Sequence, residues 1–301
     1  MDIVLAGASG LIGTQLRTEL EGAGHQVTRL VRRAPTSERQ VEWHPERGEL
    51  DPDALRRADA VVSLSGAGIA DKRWTESHKK TLVASRLDPT ALLAGTIAAL
   101  RAEGDGPSTF VSASAVGYSG DTGSALTTEN GPKGKGFLAD LVERWEGATT
   151  QASDAGVRTC TLRTGLVLSQ SGGLMAKVGP LAKVGLAGRL GSGRQYWPWI
   201  SLVDEIDAIR FVVEHDEITG PVNITGPRPV TNREFAAATS RVLHRPEVVP
   251  VPAFALRLVL GGFADEGVLI GQRAVPEKLA AAGFVFTHTD VESALRYAFA
   301  R

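Results

Sequence analysis

Two rhythms of apolar residues run along this chain. Ile3–Ala6, Val27–Val31, Ala60–Leu64, Thr109–Ala113 and Thr159–Leu162 are short runs rich in β-branched and aliphatic side chains, and each reads as a strand. Between them, Leu11–Glu21, Glu76–Ala102 and Phe137–Ala155 read as helices; in the first, Ile12, Leu16 and Leu20 fall on one face. Strands buried on both sides and separated by crossovers of this length describe a parallel sheet with helices on both faces. The pattern predicts a doubly wound α/β fold.

After Leu168 the rhythm fails. Ser169–Gly193 holds seven glycines, which predicts an irregular segment closing over a site as a lid. A helix over Asp204–Glu214 and a strand over Val222–Thr225 return the chain to the sheet. Helices over Asn232–Leu243, Phe254–Leu260, Pro276–Ala282 and Asp290–Phe299 follow, the first opened by the Thr231-x-x-Glu234 spacing of a capping box. Residues 1–168, rejoined by 204–226, are expected to form the large domain, with 169–203 and 227–301 as a smaller, mainly helical C-terminal substrate lobe and lid.

A chain of 301 residues is long enough for a cleft between two such lobes. Lys and Arg together number 33 against 34 for Asp and Glu, so no overall field attracts nucleic acid or an anionic membrane, and neither is expected as a partner. No apolar run approaches the roughly 18 residues of a membrane span. Ile3–Ala6 is too short for a signal segment, so the expected location is the cytoplasm. Cys160 stands alone in an apolar run and reads as a buried structural thiol. The six histidines are scattered without metal-ligand spacing, and no metal is expected.

Gly7-Ala8-Ser9-Gly10-Leu11-Ile12-Gly13 directly follows the first strand and opens a helix. A side chain at the glycines would collide at the tight turn, against a pyrophosphate, or where helix meets strand. The helix N-terminus offers free N–H groups and the positive end of its dipole to phosphate. This is the turn of a dinucleotide-binding Rossmann fold, and it assigns Gly7, Ser9, Gly10, Leu11, Ile12 and Gly13 to a cofactor. About 20 residues further on, NAD sites carry an acid for the ribose 2′-hydroxyl. Here stand Arg32 and Arg33, which can pair with a 2′-phosphate, so NADP is expected in preference to NAD.

The glycine spacing, Ser112-Ala113-Ser114-Ala115-Val116-Gly117-Tyr118, and Trp199-Ile200-Ser201-Leu202-Val203-Asp204 together resemble the extended short-chain dehydrogenase/reductase superfamily. Ile69-Ala70-Asp71-Lys72-Arg73-Trp74, Ser85-Arg86, Pro198-Trp199-Ile200 and Gly271-Gln272-Arg273-Ala274-Val275-Pro276-Glu277-Lys278-Leu279 look like an atypical, epimerase-family (NAD-dependent epimerase/dehydratase-like) branch. The resemblance implies that Leu64, Ser65 and Gly66 line the adenine and ribose, that Arg86 reaches the cofactor, and that Val167 passes the nicotinamide. It also implies a small-molecule substrate and is compatible with a homodimer.

By the same resemblance Ser114 matches a catalytic serine that donates a hydrogen bond to a substrate carbonyl. The superfamily's Tyr-x-x-x-Lys pair has no counterpart, because the matching helix reads Phe137-Leu138-Ala139-Asp140-Leu141. Tyr118 is the nearest phenol on the same edge of the sheet, with Lys133 and Lys135 in the loop before the altered helix. It either takes the tyrosine's place as a catalytic residue or only packs over the ligand. Trp197 and Trp199, close to Tyr196, Arg189 and Arg194, read as walls for a flat or anionic substrate or as a plug joining lid to core. Two functions therefore stay open: an NADP-dependent oxidoreductase or epimerase-like enzyme, and a non-catalytic NADP-binding scaffold or redox sensor.

Overall fold

The computed structural model describes residues 1–169, 171–183, 188–245 and 250–300. In the first half the elements are β1 (Asp2–Ala6), α1 (Leu11–Gly22), β2 (Gln26–Val31), β3 (Gln40–His44), β4 (Glu49–Leu50), α2 (Asp53–Arg56), β5 (Ala60–Ser63), α3 (Glu76–Ala102), β6 (Thr109–Ala115), β7 (Leu126–Thr127) and α4 (Phe137–Gly147). The second half holds α5 (Thr150–Asp154), β8 (Arg158–Thr164), β9 (Leu166–Leu168), α6 (Gly173–Lys183), β10 (Tyr196–Trp197), β11 (Trp199–Ser201), α7 (Leu202–Glu214), β12 (Gly220–Ile224) and β13 (Val230–Thr231). It ends with α8 (Asn232–Val242), α9 (Ala253–Leu260), β14 (Arg273–Ala274), α10 (Glu277–Ala281) and α11 (Val291–Phe299).

The main sheet runs β12-β8-β6-β5-β1-β2-β3-β4, parallel throughout except for the β3–β4 pairing. Its order reverses direction between β1 and β5, and such a switch point opens a crevice at the carboxyl ends of the strands. Alternation along the strands divides the core between the two faces. Ile3 and Leu5 of β1 pack with Leu16 and Leu20 of α1 and Ile206 and Ile209 of α7, while Val4 and Ala6 meet Leu93 and Ile97 of α3. Every one of these is buried, and each larger aliphatic side chain removed from water contributes about 1.5–3 kcal/mol.

The C-terminal lobe has its own core, in which Trp197, Trp199 and Phe235 pack with Leu168, Met175, Val291 and Leu295. Its last third then packs back beside the main sheet, where it forms a separate two-stranded sheet. β14 pairs in parallel with β7; Thr122 N donates to Gly271 O at 3.0 Å, and Arg273 N to Thr122 Oγ1 at 2.9 Å. The amides of Asn223 and Lys278 both donate to Glu129 Oε1, at 3.1 and 3.2 Å.

The expected fold class is the observed one, with local corrections, among them short two- and three-residue strands such as β7, β9 and β14 that were not expected. The helix expected over Phe137–Ala155 is two, α4 and α5, broken where Gly147 and the bond from Thr149 Oγ1 to Glu146 O (2.7 Å) interrupt the regular backbone. Gln40–His44 forms an additional strand that its mixed polarity hid. Part of the segment expected to be irregular, Ser169–Gly193, is the helix α6; residues 170 and 184–187 of that segment lie outside the described residues. The capping box forms as read: Thr231 Oγ1 accepts from Glu234 N, and Glu234 Oε2 accepts from Thr231 N.

Candidate functional site

The turn after β1 is built by backbone packed on backbone. Gly7 has φ +79, and a Cβ on it would stand 2.7 Å from Leu64 C and O; one on Gly13 would stand 2.2 Å from Gly7 O. Both glycines are thus required by the fold, one for the close approach of β1 to the end of β5 and the other for helix on turn. Gly10 differs. A Cβ there would meet nothing nearer than Gly7 O at 3.4 Å, so the protein alone leaves room that a phosphate at the helix N-terminus fits. No side chain caps α1, which leaves the phosphate-facing end to its amides.

A cavity of about 720 Å³ opens beside this turn. Its lining combines Gly7, Ser9 and Gly10 with Arg32 and Arg33 at the end of β2 and with Leu64, Ser65 and Gly66 after β5. Eight of the residues read as cofactor contacts are thereby brought together. Arg29, Trp43, Glu46 and Asp88 also line it and were missed, since they belong to no motif and come from four different elements. Arg32 is exposed, and Arg33 makes local bonds to Ala34 O (3.1 Å) and Thr36 Oγ1 (3.4 Å), so both guanidinia can turn to a ligand. Glu46 is held below the usual carboxylate range by its backbone hydrogen bond.

Arg86 serves the same loop from below. It donates to Ala67 O at 3.0 Å and Leu82 O at 3.1 Å and lies 5.1 Å from the centre of the Trp145 ring. Burial pulls it down to about 10, which leaves it charged at neutral pH. Trp74, with Nε1 donating to Ile69 O and its rings 5.3 Å from Phe137 and Phe263, anchors the loop that follows. Leu11 and Ile12 pack partly buried against the sheet core, as does Val167 on β9. At the start of α6, a Cβ on Gly172 would touch Leu11 Cδ2 at 3.2 Å and one on Gly173 would stand 3.4 Å from Val167 O, so this segment closes against the turn.

At the ends of β6 and β8 buried Ser114 and Arg163 meet half-buried Glu146 and Tyr118. Ser114 donates to Glu146 Oε1 at 2.6 Å. Arg163 grips the same carboxylate through Nε to Oε1 and Nη2 to Oε2, both 2.8 Å, and donates Nη1 to Glu129 O at 3.1 Å. Its guanidinium lies 3.5 Å from the centre of the Tyr118 ring. Ser114 and Tyr118, the two residues read as catalytic, are thus joined through Glu146 and Arg163, which sequence reasoning missed. Their signal was a charge beside the apolar face of α4 and another inside an apolar strand. Lys133 is engaged elsewhere, 2.7 Å from both Asp140 and Glu143, which hold its ammonium well above the ordinary lysine range.

One residue further along β8, Thr164 donates to Glu205 Oε1 at 2.8 Å, while Glu205 Oε2 is buried without a partner. Burial pushes Glu205 up to about 8. Trp197 and Trp199 are buried in the lobe core, Trp197 5.0 Å from Phe235 and Trp199 donating Nε1 to Arg228 O at 2.9 Å; neither lines the cavity. Pro198 and the start of β11 pass between glycines, since a Cβ on Gly165 would stand 2.1 Å from Pro198 O and one on Gly226 2.9 Å from Trp199 O. Among the described residues no helix is long and apolar enough to cross a membrane.

A glycine turn at the switch point of a doubly wound sheet, facing a cationic cavity, defines a dinucleotide-binding protein. The NAD dependent epimerase/dehydratase family matches residues 3–225, and the chain belongs to that family; residues 251–298 match a domain of unknown function. The chain is 48% identical over 299 residues to epimerase family protein Mb2239 of Mycobacterium bovis, covering 99% of this chain and 98% of that one. It is 33% identical to the mouse epimerase family protein SDR39U1, covering 98% and 99%. The crystal structure of the human epimerase family protein SDR39U1 with NADPH is similar to it at a TM-score of 0.90 and 30% identity, covering 99% of both chains.

Proposed function

We propose that this protein is an NADP-dependent oxidoreductase or epimerase-like enzyme acting on a small carbonyl or hydroxyl compound, with Ser114 and Tyr118 meeting the substrate. The observation that carries the cofactor preference is the pair Arg32 and Arg33 on the wall of the cavity beside the glycine turn. Two guanidinia can neutralise a 2′-phosphate that a carboxylate at the same strand end would repel. The NADPH in the human relative's structure supports the same choice. Ser114 ends β6 at the same carboxyl edge of the sheet as the glycine turn, and a cofactor bound there would supply a hydride donor or acceptor.

Titration with NADPH and NADH tests the preference. NADPH is expected to bind more tightly, and Arg32→Glu with Arg33→Glu to lower the ratio of the two affinities about 10- to 100-fold. An unchanged ratio defeats it. Loss of NADPH absorbance across a carbonyl panel, slowed by Ser114→Ala and Tyr118→Phe, supports an enzyme. Tight NADPH binding with no turnover in either direction supports a redox sensor instead.

A further inference from the structure

Ser114 stands at the carboxyl edge of the sheet, where a doubly wound fold receives its ligands. Its 2.6 Å bond to Glu146 Oε1 has a direction, and Arg163 sets it. Arg163 is the register neighbour of Ser114 across β6 and β8, and it binds both oxygens of Glu146 at 2.8 Å. A guanidinium grips a carboxylate in this bidentate way when the carboxylate is ionised, and an ionised carboxylate only accepts. The single proton of Ser114 therefore lies on the line to Glu146. Only lone pairs remain for a ligand.

The arrangement is not free to turn. The Arg163 side chain is 4% exposed and that of Glu146 16%, and the guanidinium is further fixed by Glu129 O and by the Tyr118 ring. Releasing either partner would leave a buried charge uncompensated.

We infer that Ser114 meets the ligand as a hydrogen-bond acceptor, so that the substrate group held against it is a hydroxyl rather than a carbonyl, with Glu146 and Arg163 as the positioning residues that set this polarity. This rests on the proposed NADP-dependent function and narrows its substrate class to an alcohol. A carbonyl oxygen at the same place would find no donor on Ser114 and would lose the hydrogen bond it had with water.

Ligand-observed NMR titration of the NADP⁺-loaded protein with matched probes, cyclohexanol against cyclohexanone and 1-phenylethanol against acetophenone, reads this polarity without relying on turnover. The alcohol of each pair is expected to bind about three- to tenfold more tightly. Ser114→Ala leaves the ion pair intact and is expected to bring the ratio to one. In Glu146→Gln the amide can turn its NH₂ to Ser114 and free the hydroxyl proton for the ligand, so the ratio is expected to fall below that of the wild type. A thermal melt beside it shows that the variant is folded.

Ketones binding as tightly as alcohols, an alcohol preference that survives Ser114→Ala, or the absence of any Ser114-dependent binding each overturn the inference. If ketones bind better and are reduced by NADPH in a Ser114-dependent way, the polarity is wrong while the proposed function stands. If NADPH itself does not bind, that function fails first.

Discussion

The glycine turn after β1 and the paired ends of β6 and β8 lie on one edge of one sheet, yet they are built from opposite materials. The turn places no charged side chain against its ligand: it offers amides, a helix end and space, and the charges that complete it, Arg32 and Arg33, stand exposed on the cavity wall. The ends of β6 and β8 meet the buried charges Arg163 and Glu205 and the half-buried Glu146. Successive residues of β8 point to opposite faces, so Arg163 turns to α4 and finds an ion pair, while Thr164 turns to α7 and finds a carboxyl with one oxygen unsatisfied. The first region is sensitive to the size of a side chain and the second to its charge.

The largest expected effect lies at Glu205. Its folded value near 8 stands above the model-peptide value of about 4.5. The folded state therefore holds the proton more firmly than the unfolded chain does. The stability tied to this proton is complete below pH 4.5, falls as pH rises, and is lost above about 8, by roughly 5 kcal/mol at most. Glu205→Gln should flatten that slope, and at pH 9 the variant should unfold at higher urea than the wild type. Parallel slopes for the two proteins between pH 5 and 8 would show that Glu205 is ionised in the fold.

Arg163→Met should cost about 3–5 kcal/mol in urea unfolding at pH 7, because it strands the Glu146 carboxylate in the interior. Adding Glu146→Leu should recover most of that loss, since an apolar pair of similar size has no charge to desolvate. The NADPH affinity of the double variant should stay within a few fold of the wild type. A large loss of affinity would break the comparison, for it would mean that the two ends of the site are one energetic unit.

This difference in materials also explains what could be read beforehand. Gly7, Gly10 and Gly13 are legible because the requirement is local: a turn, a positive φ and a helix start within seven residues. The same holds for Thr231 and Glu234, whose capping box closes within one helical turn. Glu146 and Arg163 are legible only as oddities. Their partners lie 32 and 17 positions away, and the apolar run of β8 ends at Leu162, one residue before the charge that matters. Trp197 and Trp199 show the converse limit. Aromatic density after the glycine-rich segment marked a concave wall or a core with equal force, and only packing against Phe235 and Leu295 shows both indoles in the lobe core.

The smallest effect tests how the C-terminal lobe takes part. Glu266 sits in a single turn of π-helix, Ala264–Val268, and reaches across to α4, where Oε2 accepts from Leu138 N at 3.0 Å. No side chain of α4's own cap does this, and Gly136, with φ +105, leaves room for the carboxylate to approach. A residue of the second lobe thus caps the helix that carries Glu146. Glu266→Ala should cost about 1 kcal/mol in urea unfolding. Because the cap lies two turns from Glu146 and away from the cavity, NADPH affinity should be unchanged. A variant of unchanged stability but weakened NADPH binding would invert that order, and would place the lobe's influence on the glycine turn rather than on the buried network.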